Sequence, residues 1–198
     1  MKSKLLLSIL AVASAIVVPV SAISQVAPER PPKDLTGPDY KYEVYVGYGY
    51  TSLNQVNQSR SGLQGVSGSV MRKFGDHFGL KVDGGHYAWD VTATNAGKPT
   101  VDLFLAGPVL RGNLFEKWSA YVEGLLGGAH TGNVSIRPNV SFAGGFGMGV
   151  DYNKSQRWSV RAFGDNIGSS FTLVPYQPGF SPHTRWNARA GIGLAYHF

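Results

Sequence analysis

The stretch Arg185–Phe198, RWNARAGIGLAYHF, decides how the rest of this chain is read. Counted back in twos from Phe198, one set is Phe198, Tyr196, Leu194, Ile192, Ala190, Ala188 and Trp186. The other set is His197, Ala195, Gly193, Gly191, Arg189, Asn187 and Arg185. The first is apolar with an aromatic at each end; the second is small or polar. A period of two belongs to a β-strand, whose successive side chains point to opposite faces. Faces this unlike require two different surroundings.

Working outward, the same alternation recurs through the chain from Tyr40 onward. Eight segments are expected, near 40–53, 62–74, 77–89, 99–111, 117–130, 139–152, 157–167 and 185–198. In the first, Tyr42, Val44, Val46, Tyr48 and Tyr50 share one face. The second alternates least cleanly, and a bulge or register change is expected there. In the fourth, Val101, Leu103, Leu105 and Val109 are assigned to the apolar face, and Asp102, Phe104 and Ala106 to the other. The connections alternate in length. Those near 75–76, 112–116 and 153–156 are short; those near 54–61, 91–98, 131–138 and 168–183 are long.

Ahead of this pattern, residues 1–22 read as a secretory signal. Lys2 and Lys4 precede the apolar run Leu5–Val20, and Val20-Ser21-Ala22 places small residues at a cleavage site. The run is shorter than the ~20 residues a membrane-crossing helix needs. Residues 23–39 hold four prolines and no periodicity, and read as an extended arm before the barrel. Residues 40–198 form the third unit.

Composition narrows the classes. The absence of cysteine rules out disulfides and thiolate chemistry. The net charge of +6 is spread without any Lys/Arg run of five, so no nucleic-acid partner is expected. The counts of 26 Gly, 10 Tyr, 10 Phe and 4 Trp fit strands with aromatics on one side and small residues on the other.

Alternation alone does not say which face points outward. Three features favour an apolar exterior. Mid-strand charges of both signs fall on the opposite parity: Lys81, Asp83, Asp102, Glu123, Arg161 and Arg189. An eight-stranded barrel has an interior just wide enough to fill with side chains, where opposite ions can pair as a plug. Aromatics recur near strand ends on the apolar face, at Tyr42, Tyr50, Phe78, Trp118, Trp158, Trp186 and Tyr196, as in an interfacial girdle. The last strand ends on Phe198.

Residues 40–198 therefore resemble the eight-stranded outer-membrane β-barrel family of OmpA-like and OmpX-like type, on the alternation and the GIGLAYHF ending. The resemblance implies an all-β fold, an eight-stranded antiparallel up-and-down transmembrane β-barrel with short turns toward the periplasm. It implies export to the bacterial outer membrane as a monomer, contact with outer-membrane lipid and lipopolysaccharide, and a terminal signal, Ile192, Leu194, Tyr196 and Phe198, read by the barrel-insertion machinery. The four long connections would carry any surface partner.

Some barrels of this class modify lipid A, using a histidine, an acid and a hydroxyl. His86 has the parity and the rim for such a base, but Tyr87-Ala88 follows it, not a serine two residues on. GGFGMG (Gly144–Gly149) lacks the spacing and the helix of a phosphate loop. No catalytic residue, metal or cofactor is expected. The remaining readings are a lipid A hydrolase or acyltransferase, and a low-conductance pore.

Overall fold

The computed structural model describes residues 38–54, 60–90, 100–132, 140–169 and 185–198. The expected leader, most of the proline-rich arm and most of the four long connections lie outside them. The described chain forms eight strands: β1 (Tyr42–Asn54), β2 (Arg60–Phe74), β3 (Phe78–Asp90), β4 (Thr100–Phe115), β5 (Trp118–Gly132), β6 (Val140–Asn153), β7 (Trp158–Ser169) and β8 (Arg185–His197). Each pairs antiparallel with its neighbour in sequence, and β8 pairs with β1, which closes the barrel. The seam runs from Glu43↔His197 to Ser52↔Ala188. It continues past the strand, where Phe198 N–H donates to the Tyr42 carbonyl and the Tyr42 N–H returns to the Phe198 carbonyl, both at 2.9 Å.

The chain reverses tightly at one rim. Residues Gly75–His77 join β2 to β3, with Gly75 at φ 77°, where a residue bearing a Cβ is strained. β4 runs on to Phe115, so the connection expected over 112–116 shrinks to Glu116 and Lys117. The irregularity expected in the second segment lies in the β2–β3 pairing. Gln64 faces Trp89 and Gly65 faces Tyr87, which leaves Ala88 as an extra residue on β3.

Seven strands have the expected parity. Val46, Tyr48, Val66, Val82, Val122, Phe146, Val160 and Ile192 are exposed on the outer wall, while Glu43, Lys81, Glu123, Asp151, Arg161 and Arg189 are buried within. β4 is inverted. Val101, Leu103, Leu105 and Val109 are buried in the lumen, and Phe104 and Leu110 are exposed outside. Asp102, expected in the interior, lies on the outer wall with 46% of its side chain exposed. Both parities of this segment are apolar, so Asp102 alone carried the expectation. Polar pairing therefore decides the face. Inside, Arg189 and Lys81 are engaged by Asp83, Asp165 and Glu123. Outside, Asp102 lies directly between His86 and His130 in the register.

The lumen is filled rather than hollow. Toward the long-loop rim it holds an apolar cluster including Leu63, Tyr87, Leu103, Leu105, Leu125 and Ile167. Toward the short-turn rim it holds Tyr45, Met71, Tyr121 and Phe163. The inner aromatic rings lie against inward glycines. A Cβ on Gly149 would stand 2.5 Å from the Tyr121 ring, one on Gly191 2.6 Å from Phe163, and one on Gly85 2.7 Å from Tyr87. Of the glycines in Gly144–Gly149, all of them in β6, Gly149 serves this use, while a Cβ on Gly145 would meet the Asn166 carbonyl and one on Gly147 the Asp165 carboxylate.

Gly149→Val should therefore destabilise the barrel by about 1–3 kcal/mol through overpacking. Gly84→Ala, whose Cβ would meet only the Leu103 carbonyl at 3.8 Å on the open outer wall, should leave it unchanged. Urea unfolding of each variant in lipid vesicles, followed by tryptophan fluorescence, measures the difference.

Candidate functional site

Three arrangements carry polar chemistry: two ion-pair layers in the lumen and a row on the outer wall. The first layer lies near the short-turn rim. Glu43 receives Arg161 Nη2 at 2.6 Å, Arg111 Nη1 at 3.0 Å and His197 Nε2 at 3.2 Å. Asp151 accepts a fork from Arg161, Nε at 2.7 Å and Nη2 at 2.9 Å, and a further contact from Arg111 Nη2 at 2.9 Å. Such paired geometry is what buried guanidinium and carboxylate need to offset their desolvation.

Tyr40 caps this layer. Its ring stacks on His197 at 4.2 Å, its hydroxyl donates to Glu43 at 3.1 Å, and Arg111 donates to that hydroxyl. Burial pushes the Tyr40 hydroxyl up from its ordinary value, so it stays a donor. A cavity of about 450 Å³ opens at this rim, lined by Lys73, Asp76, His77 and Arg111 among others.

The second layer lies deeper. Arg189 joins Asp83, at 2.5 Å, to Asp165, and its guanidinium lies 5.1 Å from the Phe163 ring centre. Lys81 Nζ meets Glu123 at 2.5 Å and Asp83 at 3.8 Å. Five of the six charges named from the sequence, Lys81, Asp83, Glu123, Arg161 and Arg189, thus occupy the lumen. Asp102 is the exception. Glu43, Asp151, Asp165 and Arg111 were not singled out. The first three share the inward parity of their strands, which was the signal available. Arg111 belongs to β4, and its inward parity was hidden by the inversion of that strand.

The third arrangement is the outer row. His86 Nδ1 lies 2.5 Å from Asp102 Oδ1, and His130 Nδ1 lies 3.2 Å from Asp102 Oδ2. The side chains of His86 and His130 are 56% and 44% exposed. The row sits near the long-loop rim. His86 was the base weighed from the sequence, and the fold supplies the acid partner that sequence spacing did not show.

The girdle residues named from the sequence are at the outer surface. Tyr42, Trp118, Trp158, Tyr196 and Phe198 stand at the short-turn rim, and Tyr50 and Trp186 toward the other. The structure adds Phe74, Phe115 and Tyr152. Ring pairs link the strands: Trp118–Tyr152 at 5.1 Å, Trp158–Tyr196 at 4.8 Å, Tyr42–Phe198 at 5.8 Å and Phe74–Phe78 at 6.2 Å. Arg72 lies 4.9 Å from the Phe74 ring centre.

No protein-family model matches the chain, and no curated protein matches it. Solved structures do. Neisserial surface protein A superposes with a TM-score of 0.65 at 11% identity, over 79% of this chain and 97% of that one. OprG, an outer membrane protein of Pseudomonas aeruginosa, gives 0.56 at 8% identity over 83% and 98%. Ail, the attachment invasion locus protein of Yersinia pestis, gives 0.52 at 14% identity over 81% and 99%. The fold is that of the eight-stranded outer-membrane β-barrels.

Arg161→Met leaves Glu43 and Asp151, each at most 1% exposed, short of a partner. It should lower unfolding stability by about 3–5 kcal/mol. Arg72→Met on the outer wall should cost less than about 1 kcal/mol. Urea titration in vesicles measures both.

Proposed function

We propose that this protein is an integral component of the bacterial outer membrane, exported with a cleaved signal peptide. Its role is structural and surface-interactive, in envelope integrity or adhesion, without catalysis. One observation carries this reading: a closed sheet turns an apolar wall outward above an aromatic belt while its ion pairs are held inside. A backbone in acyl chains must satisfy every amide internally, and only a helix or a closed barrel does so. The aromatic belt suits the membrane interface. No helix among the described residues is long and apolar enough to cross a membrane, so the strands carry the crossing.

The short turns then face the periplasm and the four long connections face outward, where a surface partner would dock. Lipid and lipopolysaccharide are the surroundings of the outer wall, and a monomer suffices because closure leaves no free edge. Ile192, Leu194, Tyr196 and Phe198 lie on the outer face of the closing strand, available to the insertion machinery before closure. The layers around Arg161 and Arg189 favour a plugged lumen over a pore.

Expressed in a Gram-negative host, the protein should fractionate with the outer membrane and show heat-modifiable migration. Planar bilayers containing it should show no discrete conductance steps, and lipid A from these cells should keep its acyl pattern by mass spectrometry. Recovery in the soluble periplasmic fraction would contradict the membrane reading, and a changed acyl count the non-catalytic one. Phe198→Asp should slow assembly, seen as unfolded protein accumulating in a reconstituted insertion assay.

A further inference from the structure

The outer wall changes character at the short-turn rim. Four aromatics stand there on four successive strands: Trp118 on β5, Tyr152 on β6, Trp158 on β7 and Tyr196 on β8. They meet in two ring pairs, Trp118 with Tyr152 and Trp158 with Tyr196. Each ring carries one N–H or O–H donor on an otherwise apolar body, a combination that suits the boundary between water and acyl chains.

Just rimward of these rings lie Lys117, Lys154 and Arg157, all exposed. Lys117 precedes Trp118, Lys154 follows Tyr152 by two residues, and Arg157 precedes Trp158. Backbone hydrogen bonds fix where they stand. Asn153 N–H donates to the Lys117 carbonyl at 2.8 Å, which sets the β4–β5 turn beside the β6–β7 turn. Lys154 N–H donates to the Trp158 carbonyl at 3.0 Å. Ser155 Oγ accepts from the N–H groups of Arg157 at 3.3 Å and Trp158 at 3.1 Å, so the β6–β7 turn closes on itself. His197 N–H donates to the Arg157 carbonyl at 2.9 Å, which ties that turn to β8 as well. From β5 to β7 is two strand spacings, ~10 Å.

The two turns set three cations against one acid, Glu116. Among the described residues no carboxylate is paired with Lys117, Lys154 or Arg157, whereas Lys81, Arg111, Arg161 and Arg189 in the lumen each have one. Below the rings the same strands turn Val122, Met148, Val150, Val160, Ile192 and Leu194 outward. From the rim to the middle of the wall the sector thus runs cation, aromatic donor, aliphatic. A glycerophospholipid runs phosphate, glycerol ester, acyl chain in the same direction.

We propose that the β5–β8 sector of this rim binds an acidic glycerophospholipid, its phosphodiester on Lys117, Lys154 and Arg157 and its acyl chains along the wall below Trp118, Tyr152 and Trp158. A Lys or Arg at a membrane surface favours an acidic lipid by about fivefold, and salt screens that gain. The Arg157 guanidinium offers a phosphate two parallel donors, and the two lysines act as point charges beside it. The rings lie at the depth of the ester groups. In the orientation proposed above this is the periplasmic leaflet, and the sector anchors the depth of the barrel there.

This inference rests on the membrane reading, whose failure shows separately: a barrel outside the bilayer is quenched by no brominated lipid. The test is quenching of tryptophan fluorescence by lipids brominated on their acyl chains. The full chain, carrying Trp89→Phe and Trp186→Phe so that Trp118 and Trp158 report, is folded into phosphatidylcholine vesicles. About a tenth of the lipid is replaced by brominated phosphatidylglycerol or, in parallel, by brominated phosphatidylcholine. Phosphatidylglycerol should be preferred at the rings by about tenfold at low salt, and by less at about 0.5 M salt. Lys117→Gln, Lys154→Gln and Arg157→Gln together should abolish the preference and leave quenching by phosphatidylcholine as it was. All three side chains are exposed, so the ion layers inside the barrel stay intact. Lys41→Gln with Arg72→Gln, on the β1–β2 side of the same rim, should keep the preference. Sodium phosphate at matched ionic strength should displace no lipid. Equal quenching by the two lipids, the result if these cations serve an acidic protein instead, would overturn the proposal. So would a preference that survives the triple substitution, one lost equally on the β1–β2 side, or displacement of lipid by phosphate.

Discussion

Closure of the sheet is the constraint from which the rest follows. In the proposed membrane setting no water is available to an unpaired amide, so β8 must return to β1 along the seam from Glu43↔His197 to Ser52↔Ala188. Closing at eight strands fixes a narrow lumen. That lumen cannot take a large side chain at every inward position. It is filled by a few rings, Tyr45, Tyr87, Tyr121 and Phe163, lying over glycines, and by guanidinium–carboxylate layers. The inward glycines beside these rings are packing residues.

The same constraint separates the two walls energetically. Outside, in the proposed lipid setting, aliphatic side chains meet a solvent like themselves and add little preference for one register over another. Inside, each charge demands a partner. The register is therefore set by polar pairing and by lumen volume. Arg161 between Glu43 and Asp151, and Arg189 between Asp83 and Asp165, tie β1, β3, β6, β7 and β8 together across the barrel. They also occupy the path that a pore would require.

Much of this was legible in the sequence because lipid and lumen impose opposite chemistry on alternate residues. The final strand, from Trp186 to Phe198, shows it most clearly, and Lys81, Asp83, Glu123, Arg161 and Arg189 follow the same rule. β4 was misread because both of its parities are apolar and the lumen beside it is apolar as well. A rule that charges go inward then failed at Asp102. The partners of Asp102 lie on other strands, 16 and 28 residues away, and only the register aligns them. Neither the bulge at Ala88 nor the alignment of Gly68 with Gly84 and Phe104 exists in a local window of sequence, since pairing creates both.

The central claim is that β4 turns Phe104 outward and Leu103 inward, with Ile192 on the same outer wall as Phe104. The chain has no cysteine, so single cysteines at these three positions can each carry one spin label. Collision rates with oxygen and with a water-soluble nickel complex, measured in vesicles, report the surroundings of each. Labels at Phe104 and Ile192 should collide freely with oxygen and little with nickel, and the label at Leu103 should be shielded from both. A lipid-accessible label at Leu103 with a shielded one at Phe104 would contradict the structure described here.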